Sequence, residues 1–197
     1  MKICPAKAFD IPSIMNIERV AFIPSIQEAQ KTFEERLLVF PHGFFVLQDA
    51  DEKTVLAQGH AVTAGYFCSE IWSAIPQSDE PFTLGHNAAK THNPSGPVLY
   101  VSSFALWSEY RGQGFAQNFF KDSLCAVCQS FATIKKVLLL VNEEWSSALK
   151  IYKNLGFLPL RTIKGFFPSL HKKKSDGILM TADSCLFTEK KSLEERV

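Results

Sequence analysis

The stretch from Val98 to Phe131 constrains the fold more than any other part of this sequence. Residues 98–106 are mostly apolar and predict a strand, a short polar turn follows, and Gly112 and Gly114 open a run with helical periodicity. The first turn of a helix has unpaired N–H groups at the positive end of its dipole, and glycines let a ligand approach that backbone closely. The stretch therefore predicts a strand–turn–helix unit that binds a phosphate group.

Two common phosphate-binding loops are excluded at this turn. No Gly-Lys-Ser or Gly-Lys-Thr follows the glycines, as a P-loop requires, and the dinucleotide-binding pattern Gly-x-Gly-x-x-Gly is absent. The two glycines alone also have a second explanation, because small residues at a strand–helix junction often serve only packing.

Length and composition limit the class of protein. A length of 197 residues predicts one domain with a full core, and a net charge of +1 does not fit a general nucleic-acid-binding protein. Five cysteines are an odd number, which does not fit a secreted disulfide framework. No run is long and apolar enough to span a membrane, and no signal peptide is evident. We therefore expect a cytoplasmic protein that binds neither nucleic acid nor membrane.

The periodicity of apolar residues predicts a mixed α/β fold, in the order ααββ, a long loop, then βαβαββ. Helices are predicted from Asp10, over 26–38, over 112–131 and over 146–155. Strands are predicted at 44–47, 54–67, 98–106, 136–141, 158–163 and 177–182. Residues 68–97 hold four prolines and little periodicity, which predicts a long loop or lid. We expect a single domain over 1–187 and a charged tail over 188–197.

The turn after the predicted strand resembles a known motif. Its pattern Arg111-x-x-Gly114-x-Ala116 is similar to the pyrophosphate-binding motif Gln/Arg-x-x-Gly-x-Gly/Ala of the GNAT N-acetyltransferases. This resemblance implies the GNAT fold, a central mixed and mostly antiparallel sheet with helices on both faces. It also implies acetyl-CoA as the co-substrate.

A second motif of the same family follows at the expected distance. It is represented here by Val141-Asn142, then Ala148-x-x-x-Tyr152, then Gly156-Phe157.

The resemblance also assigns the residues that hold the co-substrate. The backbone at the end of the family's fourth strand pairs with the pantetheine arm, and Asn142 contacts that arm where the fourth and fifth strands separate. The strand end corresponds here to Phe104, Ala105 and Leu106. The main-chain amides that would wrap the pyrophosphate belong to Arg111, Gly112, Gln113, Gly114, Phe115 and Ala116. Asn142 has a second explanation, as a strand-end cap for the next helix.

Tyr152 is the candidate general acid. It lies on the predicted buried stripe of its helix, so the residue pattern alone favours a core tyrosine. The resemblance instead implies that its phenol protonates the departing CoA thiolate. The chemistry is suitable, because a phenol of pKa ~10 can deliver a proton to a thiolate whose acid has a pKa of ~8.5.

Two looser patterns resemble the arylalkylamine and polyamine N-acetyltransferase branch of the superfamily. The first is Glu18-x-x-Ala21-Phe22, then Arg36-Leu37, then Phe40-Pro41-x-Gly43-Phe44. The second is His92-x-Pro94-x-Gly96-x-x-Leu99-Tyr100. This branch implies a primary amine on a small molecule as the acceptor.

The sequence departs from that branch at the residue that removes the amine's proton. Branch members carry a histidine on the fourth strand, whereas Ser102 stands at that position here, and strict alternation would place Tyr100, Ser102, Phe104 and Leu106 on one face. There are three candidate bases: Glu70, His92 and a water molecule held by Ser102. The loop could also line the acceptor pocket, with acidic Glu70, Asp79 and Glu80 and aromatic Tyr66, Trp72 and Phe82.

These observations predict an acetyl-CoA-dependent N-acetyltransferase that acts on a small amine by direct transfer, as a monomer or homodimer. One alternative keeps the fold and moves the acceptor to a peptide or protein amine, and another is an acyl-CoA-binding sensor without turnover. No metal is expected, because no His and Cys cluster has ligand spacing. Cys125-x-x-Cys128 is interpreted as packing within a helix.

Overall fold

A sheet of seven strands runs through the described residues of this computed structural model, which are 1–50, 61–168 and 174–188. The order across the sheet is β1-β2-β3-β4-β5-β7-β6. The strands are β1 (Lys2–Pro5), β2 (Phe44–Asp49), β3 (Val62–Trp72), β4 (Val98–Leu106), β5 (Lys136–Asn142), β6 (Leu158–Phe167) and β7 (Ser175–Asp183). Within this sheet β4 and β5 pair in parallel, and the other neighbouring pairs are antiparallel.

Helices cover both faces of the sheet. They are α1 (Ile11–Ala21), α2 (Gln30–Val39), α3 (Ala88–Thr91), α4 (Phe115–Ser130) and α5 (Ser146–Asn154). On one face α1 and α2 place Ile14, Ile17 and Phe33 against β3. On the other face α4 and α5 place Phe120 and Tyr152 against the sheet. The predicted mixed α/β class, with a mostly antiparallel sheet and helices on both faces, is confirmed.

Several predicted boundaries were wrong. The strand β1 was missed, because four residues are too short to show alternation. Helix α2 begins at Gln30 rather than at residue 26, because Pro24–Ile26 forms a separate 3₁₀ turn and Gln27 is extended. Strands β6 and β7 also extend further than predicted, to Phe167 and from Ser175.

The predicted loop 68–97 begins too early, because β3 continues to Trp72. The polar residues Ser69 and Glu70 at this end of the strand led to the prediction of a loop. Both are 1% exposed, and each has a hydrogen-bond partner that makes its burial possible. The loop is therefore 73–97, and it contains α3. Residues 51–60, which include the predicted start of this strand, and residues 189–197 of the predicted tail lie outside the described residues. The predicted single domain over 1–187 stays a prediction.

A β-bulge interrupts β4. Cys68 of β3 pairs with Ser103, but the next residue, Ser69, pairs with Val101, so Ser102 has no opposite partner. The predicted alternation of Tyr100, Ser102, Phe104 and Leu106 along one face was therefore wrong, because one extra residue reverses the faces. Tyr100 packs in the cluster with Trp72, whereas Phe104 and Leu106 pack on the opposite face with Phe120.

The parallel strands β4 and β5 separate after their first halves. Residues 98–101 of β4 pair with residues 136–139 of β5, and no pairing between the two strands follows among the described residues. Both strands continue, β4 beside β3 to Leu106 and β5 beside β7 to Asn142. The sheet therefore contains a gap with unpaired main chain along both sides.

Candidate functional site

The end of β4 presents main-chain groups to this gap. Trp107 N–H donates to Ala64 O across the β3 side at 2.9 Å. Main-chain groups of successive residues point to opposite edges of a strand, so those of Leu106 and Phe104 point away from β3 and into the gap. Leu106 O accepts a hydrogen bond of 2.9 Å from Arg111 Nε, which holds the following turn against the strand. Of the three predicted pantetheine-pairing residues, Phe104 and Leu106 can therefore pair with an extended ligand through their main chain.

The glycine turn lies directly after this strand end. Gly112 and Gly114 have φ angles of +74° and +83°, and Gly114 is the N-cap of the 16-residue helix α4. A Cβ atom built at either glycine meets nothing within 4 Å, so these glycines are not explained by tight packing among the described residues. Their left-handed backbone explains the residue type, and the free space beside them explains how a phosphate group can approach. The packing alternative for these glycines is therefore not supported.

A cavity of about 540 Å³ lies where the gap in the sheet opens. Its wall combines residues of α1, the segment after α1, the loop 73–97, the bulge of β4, β5, α5 and β6. Carboxylates of Glu18, Glu28 and Glu80 and aromatic rings of Phe22, Phe82, Tyr100, Trp145, Tyr152 and Phe166 are part of this wall. Arg36, which pairs with Glu28, and Lys164 also belong to this wall. Glu18 and Glu80 suit a ligand with a cationic group, and the rings suit an apolar body.

Tyr152 and Ser102 both line this cavity, as does Phe104. Tyr152 is 8% exposed and packs its ring 5.0 Å from that of Phe120, so α5 and α4 together hold it rigidly. Burial raises the pKa of the Tyr152 phenol well above its ordinary value, which keeps it protonated at neutral pH. The structure therefore brings the candidate general acid to the cavity beside the strand end.

Asn142 has a different local role. Its side-chain Oδ1 accepts a hydrogen bond of 2.9 Å from the N–H of Glu144, in the turn after β5. The N-cap of α5 is Trp145, so Asn142 does not cap that helix as the alternative predicted. It is 5% exposed at the last position of β5, on the side of the gap opposite Leu106. Contact of Asn142 with a pantetheine arm stays a prediction.

The candidate bases named from the sequence have other partners. Glu70 is bound by Thr91 Oγ1 and by His86 Nε2, the latter in a short contact. Burial raises the Glu70 pKa, but the hydrogen bonds that His86 and Thr91 donate outweigh it, so the pKa lies below its ordinary value. His92 Nδ1 accepts the N–H of Ile71 at 3.1 Å, and its ring packs on Phe40.

Of the other predicted lining residues, three line the cavity and Trp72 lies behind its wall. Asp79, Glu80 and Phe82 line the cavity, as expected, and Arg161 of β6 bonds to Asp79 in a short contact and to Ser78 O at 3.2 Å. Trp72 stacks behind Tyr100 with ring centroids 4.0 Å apart.

Sequence reasoning missed a buried acid on α1. Glu18 is 1% exposed and lines the cavity; its Oε1 accepts the N–H of Glu28 at 2.8 Å, and its Oε2 accepts the Tyr66 hydroxyl in a short contact. Burial is the main cause that raises the Glu18 pKa to about 7. One signal in the sequence was its position, directly after Ile17 on the buried side of an amphipathic helix. Burying a carboxylate there is unfavourable unless hydrogen bonds or charges compensate it, so such a residue is a candidate for a functional role.

A chain of buried polar groups surrounds this acid. Arg36 Nη2 donates to Glu28 Oε1 at 2.8 Å and lies 3.4 Å from His86 Nδ1. Because a guanidinium only donates, His86 Nδ1 accepts and its Nε2–H faces Glu70. The chain fixes the loop 73–97 against α2 and β3, and with it one wall of the cavity.

Burial makes the thiols of Cys68, Cys125 and Cys128 less acidic than a free cysteine. Cys68 is fully buried, and burial raises the pKa of its thiol to about 12 despite the nearby charge of Arg36. Burial likewise raises the pKa of the Cys125 and Cys128 thiols within α4. Across the described ranges, no three His, Cys, Asp or Glu side chains are grouped to hold a metal ion. None of the helices in those ranges is long and apolar enough to cross a membrane.

Comparison with known proteins identifies the fold. No protein-family model and no curated protein sequence matches this chain. Solved structures match over nearly its whole length. NAA60 of Arabidopsis thaliana, in complex with a bisubstrate analogue, has a TM-score of 0.69 at 18% identity, and the match covers 92% of this chain and 98% of NAA60. A GNAT-like decarboxylase, GphF, in complex with isobutyryl-CoA, has a TM-score of 0.72 at 14% identity, with 93% and 100% covered.

A third match is the ribosomal-protein-S18-alanine N-acetyltransferase of Escherichia coli, with a TM-score of 0.63 at 16% identity and 100% and 97% covered. At these identities the similarity establishes the fold, which is that of the GNAT acetyltransferases.

Proposed function

We propose that this protein is an acetyl-CoA-dependent N-acetyltransferase that acts on a primary amine of a small molecule. One observation carries the proposal. The gap between β4 and β5 runs from a glycine turn with free space beside it to a cavity that holds the Tyr152 phenol. An extended acyl-CoA needs these three features in this order: a site for its phosphates, a strand edge for its pantetheine, and a proton donor near its sulfur.

Each part of the co-substrate would meet a different group of residues. The main-chain amides of Arg111 to Ala116 would hold the pyrophosphate at the N-terminus of α4, where the helix dipole favours negative charge. The main chain of Phe104 and Leu106 would pair with the pantetheine, and Asn142 would border it from β5. Acetyl-CoA supplies a thioester that accepts a nucleophile and releases a thiolate. No basic surface is required, because backbone amides bind the phosphates.

The protein's own groups would then manage protons and orientation. Tyr152 donates its phenolic proton to the departing sulfur and regains a proton from the acetylated nitrogen. A water held by Ser102 at the bulge can hydrogen-bond the amine, since the Ser102 hydroxyl lines the cavity. A covalent acetyl-enzyme is not needed, and the buried Cys68 thiol, with its pKa near 12, is a poor nucleophile for one. Direct transfer to the amine is therefore the mechanism that fits these residues.

The walls of the cavity support a small acceptor over a peptide. Arg161 of β6 binds Asp79 and Ser78 of the loop 73–97, and its guanidinium lies 5.7 Å from the centre of the Phe82 ring. These contacts join the loop to β6 beside the cavity, which restricts a long chain from lying across it. The carboxylates of Glu18 and Glu80 favour a cation, and Phe82 and Tyr100 favour an apolar body. An arylalkylamine or polyamine matches this combination.

The test is an acetylation assay with the full chain. Purified protein is incubated with acetyl-CoA and a panel of arylalkylamines, polyamines and peptides with free N-termini, and the products are measured by mass spectrometry. We expect acetylation of at least one small primary amine and none of its tertiary N,N-dimethyl analogue, which serves as the matched control. Acetylation of peptides alone would overturn the small-amine proposal. Binding of acetyl-CoA without any product would instead identify a non-catalytic sensor.

A further inference from the structure

Three polar side chains connect the bulge of β4 to the buried acid of α1. Ser103, the residue after the bulge, has its Oγ 2.8 Å from the Tyr66 hydroxyl oxygen. Tyr66, which is fully buried on β3, donates its hydroxyl proton to Glu18 Oε2. Since Tyr66 donates to the carboxylate, Ser103 donates to Tyr66. The hydrogen bonds therefore all point from the cavity toward Glu18.

Both ends of this chain reach the cavity, and its middle does not. Ser103 and Glu18 line the cavity wall, while the Tyr66 ring lies in the core against Phe33, with centroids 5.4 Å apart. The bulge is the reason that Ser103 takes part: without the extra residue, strand alternation would turn Ser103 toward the opposite face.

We propose that Ser103, Tyr66 and Glu18 form a proton relay that deprotonates the acceptor ammonium group, an inference that rests on the proposed function. The ammonium N–H bond breaks and the proton passes to Ser103 Oγ. The Ser103 proton moves to the Tyr66 oxygen, and the Tyr66 proton moves to Glu18 Oε2. The products are a neutral amine, two unchanged hydroxyl groups and a neutral carboxyl group. Glu18 returns its proton to water by the reverse path after product release.

The charges around Glu18 agree with this role. Burial raises its pKa to about 7, the neighbouring Glu28 carboxylate adds to the rise, and the N–H of Glu28, the Tyr66 hydroxyl and the Arg36 guanidinium oppose it. A base needs a pKa near the working pH to accept a proton and then release it. An amine of pKa ~10 arrives protonated, so its attack at neutral pH requires a group that accepts this proton.

The experiment measures kcat against pH for the wild type, Glu18→Gln and Tyr66→Phe, with the exposed Glu34→Gln on α2 as the matched control. The wild-type rate should rise with pH up to about 7 and then level off. In Glu18→Gln the levelling near pH 7 should disappear, and kcat at pH 8 should be about 100-fold lower than in the wild type. Above pH 8 the kcat of this variant should continue to rise toward the pKa of the amine. Tyr66→Phe interrupts the relay at its centre and should behave similarly.

A second substrate separates a proton-transfer role from a structural one. With a fluorinated amine of pKa ~7, much of the substrate arrives neutral, so the Glu18→Gln deficit should shrink to a few-fold. Melting temperature and acetyl-CoA binding, measured beside the rates, show whether each variant is folded. If a folded Glu18→Gln keeps the wild-type pH limb, or loses the same factor with both amines, the relay is refuted. If the wild type acetylates no amine, the proposed function itself fails.

Discussion

The Ser102 hydroxyl donates a hydrogen bond of 3.2 Å to the main-chain oxygen of Cys68, at the bulge where β4 carries one residue more than β3. Two adjacent serines thereby acquire different surroundings. Ser102 contacts the main chain of the neighbouring strand, whereas Ser103 contacts the side chain of Tyr66. Position in the sequence does not distinguish them, but the bulge does.

Separate replacement of the two serines tests this difference. Ser103→Ala removes the entry to the relay, so we expect loss of the pH limb near 7 and a fall in kcat at pH 8 of about 10–100-fold. Ser102→Ala removes a cavity-lining hydroxyl outside the relay and should lower the rate less, with the limb retained. The measurement is kcat against pH for both variants. A pH limb that survives in Ser103→Ala and disappears in Ser102→Ala would assign proton transfer to the water at Ser102 instead.

Replacement of Tyr152 by phenylalanine tests the general acid. The ring contact with Phe120 is retained in Tyr152→Phe, while the proton donor to the sulfur is lost. We expect kcat to fall by about 10–1000-fold and the affinity for acetyl-CoA to change little, measured by steady-state kinetics and by calorimetric titration. An unchanged kcat would show that Tyr152 is not the general acid and has only a structural role in the core.

The sequence predicted the parts of the site that depend on local chain geometry. The strand at 98–106, the glycine turn and the helix after it follow from residues that are adjacent in the chain, and all three are present. The relay could not be predicted, because Glu18 and Tyr66 are 48 residues apart and meet only when α1 packs on β3. The bulge at Ser102 could not be predicted either, because an unpaired residue in a strand does not change the alternation of residue types along the sequence.

The same limit affects the candidate bases Glu70 and His92, whose role stays a prediction. Glu70 and His92 have suitable chemistry, and both lie at the start and end of a segment that was expected to be a loop. In the fold Glu70 is part of β3, and Thr91 and His86 bind its carboxylate. Glu70 is not among the residues that line the cavity, whereas a base needs access to its substrate.

Substitution at Gly114 tests the phosphate turn. Its φ of +83° strains any residue with a Cβ, although the Cβ itself would meet nothing within 4 Å. We expect Gly114→Ala to lower the free energy of unfolding by about 1–2 kcal/mol and Gly114→Asn by less, because asparagine tolerates the left-handed region. Both side chains would occupy the free space beside the turn, so both should weaken CoA binding, by about tenfold or more. Equal CoA affinity in all three proteins would place the phosphates elsewhere.

Glu70→Gln tests whether the loop 73–97 is held by the buried polar chain. The low pKa of Glu70 means that its charge stabilises the fold above its ordinary pKa of about 4.5, and that this contribution is lost as the pH falls below that value. We expect Glu70→Gln to lower the free energy of unfolding at pH 7 by about 1–3 kcal/mol and to speed hydrogen exchange over residues 80–91. Glu35→Gln, at a partly exposed contact with Ala89, is the control and should have little effect. Unchanged exchange in Glu70→Gln would contradict the role of this carboxylate in fixing the loop.

Replacement of Glu18 by glutamine should remove a loss of stability that the wild type shows between pH 4.5 and about 7. The Glu18 pKa is about 7 in the fold against an ordinary value of 4.5, so the folded protein retains a proton that the unfolded chain releases between these pH values. Wild-type stability therefore falls through this window, by about 3 kcal/mol in total, and then stays level. Glu18→Gln has no such loss. Its melting temperature relative to the wild type should rise by several degrees from pH 4.5 to 7.5, with Glu34→Gln as the control. A difference that stays constant across this range would show that Glu18 is ionised normally in the fold, and the relay would then lose its proton acceptor of near-neutral pKa.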